Sequence, residues 1–178
     1  MPAFGYEQSH LMREAKASAR RAIAMRRKEP WAHHALAHVM LTEGRLAEGL
    51  DFMQDVSDSW TGLNSFMVTH NWWHVALFLI DLGRDADALA IYDGHVWGVD
   101  KSYSQDQIGA VSLLVRMELA GIDVGEARWA DVAGWLAART QDHVLPFLDL
   151  QYLYGLARAG RPEADALREE LGRYAPQA

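Results

Sequence analysis

The stretch Asn71-Trp72-Trp73-His74-Val75-Ala76-Leu77-Phe78-Leu79-Ile80, followed by Asp81-Leu82-Gly83-Arg84 and then Asp85 to Tyr92, decides the fold. Its apolar residues recur at helical spacing up to Gly83 and resume after it, so it reads as two amphipathic helices joined at a glycine turn. The layout recurs along the chain. Gly44, Gly83, Gly121 and Gly160 stand 39, 38 and 39 residues apart. Three of them open the same dipeptide, Gly44-Arg45, Gly83-Arg84 and Gly160-Arg161, while Gly121-Ile122 varies it. Seven residues before these glycines come Ala37, Ala76, Leu114 and Leu153, and eight before come Leu36, Val75, Leu113 and Tyr152. Four before them come Met40, Leu79, Met117 and Leu156. These offsets share one helical face, as a buried stripe requires.

Helical hairpins of a fixed period near 40 residues cannot bury their apolar faces alone, so they stack. The expected fold is therefore all-α: an α-solenoid of stacked helix-turn-helix repeats over a single domain, 1–178, with repeats near 3–29, 30–56, 66–96, 105–140 and 145–175. Helices are expected near 3–12, 13–28, 31–43, 45–55, 66–82, 84–94, 105–120, 126–139, 145–159 and 162–174. Gly49 and Ala88 are small enough to let the two helices of a hairpin approach closely, with Met53 and Tyr92 as bulky partners on the same face. The run Arg26-Arg27-Lys28 falls in an expected last turn before Pro30, where basic side chains complement the helix dipole. Trp60 and Trp97 lie in or beside the longer connections and read either as anchors folded onto the core, the commoner role, or as ligand platforms. The first helix is short and begins almost at residue 1, without the polar cap that opens a repeat array. That predicts missing N-terminal repeats, or self-association through this end.

Composition narrows the function classes. Half of the 178 residues are hydrophobic and cysteine is absent, so neither disulfides nor thiolate chemistry is available. A net charge of −7 and a pI near 5.5 argue against nucleic acid as a partner. Neither a membrane-spanning apolar run nor a basic-then-apolar leader is seen, and a cytoplasmic location is expected. Phosphate-binding glycine loops and a Gly-x-Ser-x-Gly elbow are missing from the sequence.

The chemistry lies in the histidines. His34 and His38 form one i, i+4 pair, and His70 and His74 form another on the matching helix of the next unit. Each pair projects from a single face. Stacked repeats set such helices side by side, so the two pairs can converge on a divalent metal, zinc or a similar ion. Trp73 is expected towards the same groove and Trp72 towards the core. Asn71, Asp142 and His143 are further polar groups for this pocket; Asp142-His143 has the look of a dyad, but adjacent residues seldom face one another, and Asp142 reads better as a helix cap. Against the metal stands a packing role, because histidine can fill a groove and hydrogen-bond a neighbour. His33 occupies a packing position, eleven residues before Gly44 as Trp72 is before Gly83. No carboxylate stands at a set offset from the histidines.

The alternation of aromatic, apolar and small residues around the glycine turn resembles a tetratricopeptide repeat. Glu29-Pro30-Trp31-Ala32-His33-His34-Ala35-Leu36-Ala37-His38-Val39, the block Thr69-His70-Asn71-Trp72-Trp73-His74-Val75-Ala76-Leu77, Leu89-Ala90-Ile91-Tyr92-Asp93-Gly94-His95 and Arg139-Thr140-Gln141-Asp142-His143-Val144, with Phe147 to Asp149 after it, resemble the tetratricopeptide repeat protein 38 family. The resemblance implies a helical array and carries no defined activity. The function expected is a binding or scaffold module whose groove, lined by His34, His38, His70, Trp73 and His74, takes a peptide segment or a small polar ligand. The alternative is a metal-dependent enzyme using a histidine-bound divalent ion.

Overall fold

A computed structural model describes residues 2–174. The outer limits of the domain 1–178, and residue 175 at the end assigned to the last repeat, lie outside the described residues. Among the described residues ten α-helices follow in order: α1 (Pro2–Gln8), α2 (Met12–Met25), α3 (Pro30–Thr42), α4 (Leu46–Val56), α5 (Ser65–Asp81), α6 (Asp85–Ile91), α7 (Ser104–Leu119), α8 (Glu126–Leu136), α9 (Pro146–Arg158) and α10 (Glu163–Tyr174). Strand is absent among the described residues, as is any helix long and apolar enough to cross a membrane. The chain divides into two compact units, Met1–Val99 and Asp100–Ala178.

The four glycines end their helices in one way. Gly44, Gly83, Gly121 and Gly160 have φ of 68°, 69°, 86° and 64°, the left-handed conformation that only glycine adopts without strain. The amide of the next residue then donates back five positions: Arg45 to Met40 at 2.9 Å, Arg84 to Leu79 at 2.8 Å, Ile122 to Met117 at 2.9 Å and Arg161 to Leu156 at 2.9 Å. This Schellman closure satisfies carbonyls that the helix end leaves open. The apolar stripe preceding each turn is buried, apart from the half-buried Leu153.

In the first unit α3 packs on α1, α2, α4 and α5, and α5 packs on α3, α4 and α6. Gly49 lies at a crossing, but its partner is not the hairpin mate α3: a Cβ there would run into the ring of Phe78 on α5. The basic run also departs from expectation. Helix α2 stops at Met25, one residue before it, so Arg26, Arg27 and Lys28 leave the helix axis. Arg27 reaches the carboxylates of Asp55 at 3.0 Å and Asp58 at 3.1 Å, and Lys28 donates to the Thr61 carbonyl at 2.6 Å. Helix α6 is shorter than expected because it widens at Tyr92–Val96 into a π-turn, where the Trp97 amide donates to the Tyr92 carbonyl at 2.9 Å. The wider turn carries Tyr92, Val96 and Trp97 inward together, all buried. Trp60 is buried as well, so both loop tryptophans are anchors.

In the second unit α7, α8 and α9 pack mutually and α10 lies on α9. Gly155 of α9 sits where a Cβ would come within 2.5 Å of Leu136 and 3.1 Å of Val111.

A candidate metal centre on helices α3 and α5

Helix α3 begins with Pro30 in its first turn, a position where the missing amide costs nothing. Its interior is nearly all alanine, leucine and histidine, and His33, His34 and their apolar neighbours are buried. Helix α5 is capped by Asn64, whose side chain accepts from the Met67 amide at 2.9 Å. Because α3 and α5 pack side by side, the two i, i+4 histidine pairs face each other.

The donor atoms of His34, His38, His70 and His74 all lie within 4.8 Å of one another. His34 is central. Its Nε2 stands 3.0 Å from Nε2 of His70 and 3.0 Å from Nε2 of His38. The His74 ring lies 4.8, 4.6 and 4.9 Å, centroid to centroid, from those of His34, His38 and His70. His34 and His74 are 3% and 2% exposed, whereas the His38 side chain is 29% exposed. The cluster is thus closed on the inside and reaches solvent at His38 and the half-buried His70.

Its electrostatics keep two of the rings, His34 and His70, neutral. Burial first, and then the neighbouring His38 and His70, push His34 down to about 2. Burial first, then His38, pushes His70 down to about 4. Each neutral ring holds one proton and one lone pair. A proton on His34 Nε2 has to be split between two Nε2 acceptors. A proton on His34 Nδ1 instead is buried with no acceptor among the described residues. Either tautomer leaves a nitrogen short, and a cation at the common point relieves the crowding of the Nε2 lone pairs.

One group at the centre was not legible in the sequence. Glu7 of α1, 31 residues from His38, is 8% exposed and places Oε1 3.2 Å from His38 Nδ1. Its other oxygen accepts from Gln8 Nε2 at 2.7 Å. In the neutral tautomer that gives its Nδ1 proton to Glu7, His38 turns an Nε2 lone pair towards the cluster. This carboxylate–histidine arrangement is the usual outer support of a metal-ligating imidazole. No offset within a helix announces it, since the contact exists only through the packing of α1 on α3.

The remaining candidates separate. Trp73 stacks on His70, with centroids 5.7 Å apart and an interplanar angle of 13°. Trp72 turns the other way, edge-on to Trp60 at 5.2 Å and stacked on His95 at 4.0 Å. His33 is a packing residue: fully buried, it accepts from Trp60 Nε1 at its Nδ1, 3.0 Å away. Asn71 is fully buried on α5, its side-chain atoms without a hydrogen-bond partner among the described residues. Asp142 and His143 belong to the second unit. Asp142 does not cap a helix: α9 starts after Leu145, and Asp142 accepts from Arg139 Nη1 at 3.1 Å. His143, at φ 42°, holds Nδ1 3.5 Å from Asp149 and Nε2 3.4 Å from Glu170.

No protein-family model matches this chain. No solved structure matches it either.

Proposed function

We propose that the chain is a tetratricopeptide-like repeat module of the cytoplasm whose groove between α3 and α5 binds a divalent transition-metal ion, zinc or a similar one, through His34, His38, His70 and His74. The observation that carries this is the convergence of four imidazoles within 4.8 Å, with three Nε2 atoms turned to one point. Ligands of a tetrahedral zinc at about 2.0–2.1 Å stand roughly 3.3–3.4 Å apart, close to the 3.0 Å contacts here, and small rotations of the rings adjust the rest. An all-imidazole set suits zinc, cobalt, nickel or copper and not the oxygen-seeking magnesium or calcium. Since burial keeps His34 and His70 neutral at pH 7, metal does not compete with a second ring proton on either. The groove's ligand, a peptide segment or small polar molecule, then meets the metal as well as Trp73. The alignment of four identical glycine turns supports the repeat reading, and with it the resemblance to the tetratricopeptide repeat protein 38 family.

A second reading, a metal-dependent enzyme, is favoured by one feature: the cluster is open at His38 and His70 while Glu7 supports it from outside. A metal held by three of the four imidazoles would keep a fourth position for water or substrate and would act as a Lewis acid.

Elemental analysis of untagged protein purified without chelator tests the proposal. About one equivalent of metal per chain is expected in the wild type, with loss in a His34→Ala/His70→Ala double variant. Metal-free wild-type protein whose melting curve ignores both added zinc and chelator would leave the histidines as packing residues.

A further inference from the structure

The metal reading leaves open what meets the ion from solvent, and the side chains around the cluster answer it. Phe4 and Trp31 lie against His34, with centroids 5.6 and 5.8 Å away, and touch each other edge-on at 6.1 Å. Phe66 and Trp73 stack on His70, with centroids at 5.0 and 5.7 Å. These rings are not interior: Trp31 is 40% exposed, and Phe4, Phe66 and Trp73 are half-buried. Half-exposed rings in contact with ligating histidines make the surface beside the ion aromatic on both the α3 and the α5 side. The cluster's carboxylate, Glu7, is already engaged by His38 and Gln8. Imidazole binds a metal as the neutral ring, so four such ligands, a divalent ion and one carboxylate would carry a net single positive charge, which a monoanionic donor neutralises.

We propose that the metal centre takes, as exogenous ligand, a monoanionic oxygen donor carried on a flat apolar body, an aromatic carboxylate being the simplest case, with the carboxylate on the ion and the body against the rings of Phe4, Trp31, Phe66 and Trp73. This rests on the metal reading above. A polyanion finds no second positive charge among those rings. A cation is repelled by the ion itself. A small carboxylate without an apolar body reaches the metal but forgoes the contact with the rings.

The test uses the full chain loaded with cobalt(II), whose visible absorption reports its own coordination, titrated with benzoate and, separately, with acetate. Benzoate is expected to change the spectrum at a concentration about tenfold or more below acetate, the difference reflecting apolar area covered and ring contact. Trp31→Ala and Trp73→Ala are each expected to shrink that preference, with far-ultraviolet circular dichroism of each variant checking that the helical fold is kept. Equal affinity of wild type for the two carboxylates, or a spectrum indifferent to both, overturns the inference and leaves the metal reading intact. Failure of cobalt to give any bound spectrum overturns the metal reading, and the inference with it.

Discussion

His34 illustrates how a residue ordinary in sequence becomes exceptional once buried. Imidazole free in water titrates near 6.5, but this one is 3% exposed with two other rings at 3.0 Å, and its protonation is driven down to about 2. His70 follows, down to about 4. The stability consequence has a definite sign. Below pH 6.5 the unfolded chain takes up protons that these folded rings refuse, so stability is full above that pH and falls as pH drops from 6.5 towards 4, each group adding a slope of up to about 1.4 kcal/mol per pH unit. Denaturant titrations at pH 7.5, 6, 5 and 4.5 on metal-free protein check this, and the slope should lessen in His34→Leu. Glu7 makes a second prediction at this scale. Changing Glu7→Gln keeps the shape and removes the charge behind His38, so zinc affinity should fall by about 10–100-fold with little change in the metal-free melting temperature. Competition against a chromophoric chelator measures it. An unaltered affinity assigns Glu7 to the packing of α1 alone.

Among the elements, α3 and α5 do most to build the site, and their close approach depends on what lies behind them. Phe78 is fully buried on α5 and occupies the space left by Gly49 of α4. In an exposed helix Gly→Ala stabilises by about 1 kcal/mol through propensity. At Gly49 the new methyl meets a ring with nowhere to go, so Gly49→Ala should instead destabilise by about 1–3 kcal/mol. Gly134, also helical but with open space around its Cα, is the control: Gly134→Ala should be neutral or stabilising. Urea unfolding of both variants separates the two effects, and equal behaviour would show that α4 and α5 do not meet as closely as described. The same comparison explains why the sequence placed a small residue correctly and its partner wrongly. Spacing from Gly44 marks position 49 as a helix face, but which neighbouring helix covers that face is set by how one hairpin lies on the next.

For the whole molecule, metal binding should be visible as stability, because the proposed ion would join α3 and α5, with α1 behind them through Glu7, only in the folded chain. At free zinc 100-fold above Kd the folded state gains about 2.7 kcal/mol, so chelator should lower the melting temperature by several degrees. Hydrogen exchange should place the lost protection in α3 and α5, which bear the ligands, and in α1, which bears Glu7. Protection unaffected by metal in those helices would contradict the site. The helices, their glycine turns and the i, i+4 pairing of histidines were legible in the sequence, since each depends on residues a few positions apart: 3.6 residues per turn, a left-handed glycine, a Schellman closure. Trp73 facing His70, and Trp72 facing away, follow from the same period. What the tertiary structure alone decided comes from longer range. It brought Glu7 to His38 across 31 residues, matched Gly49 to Phe78, drew Arg27 out to Asp55 and Asp58, opened the last turn of α6 to seat Tyr92, Val96 and Trp97, and divided the chain at Val99 into two compact units. The physical reason is that periodicity fixes which face of a helix is apolar, whereas the identity of the group that meets that face depends on the packing of separate helices, which no local pattern encodes.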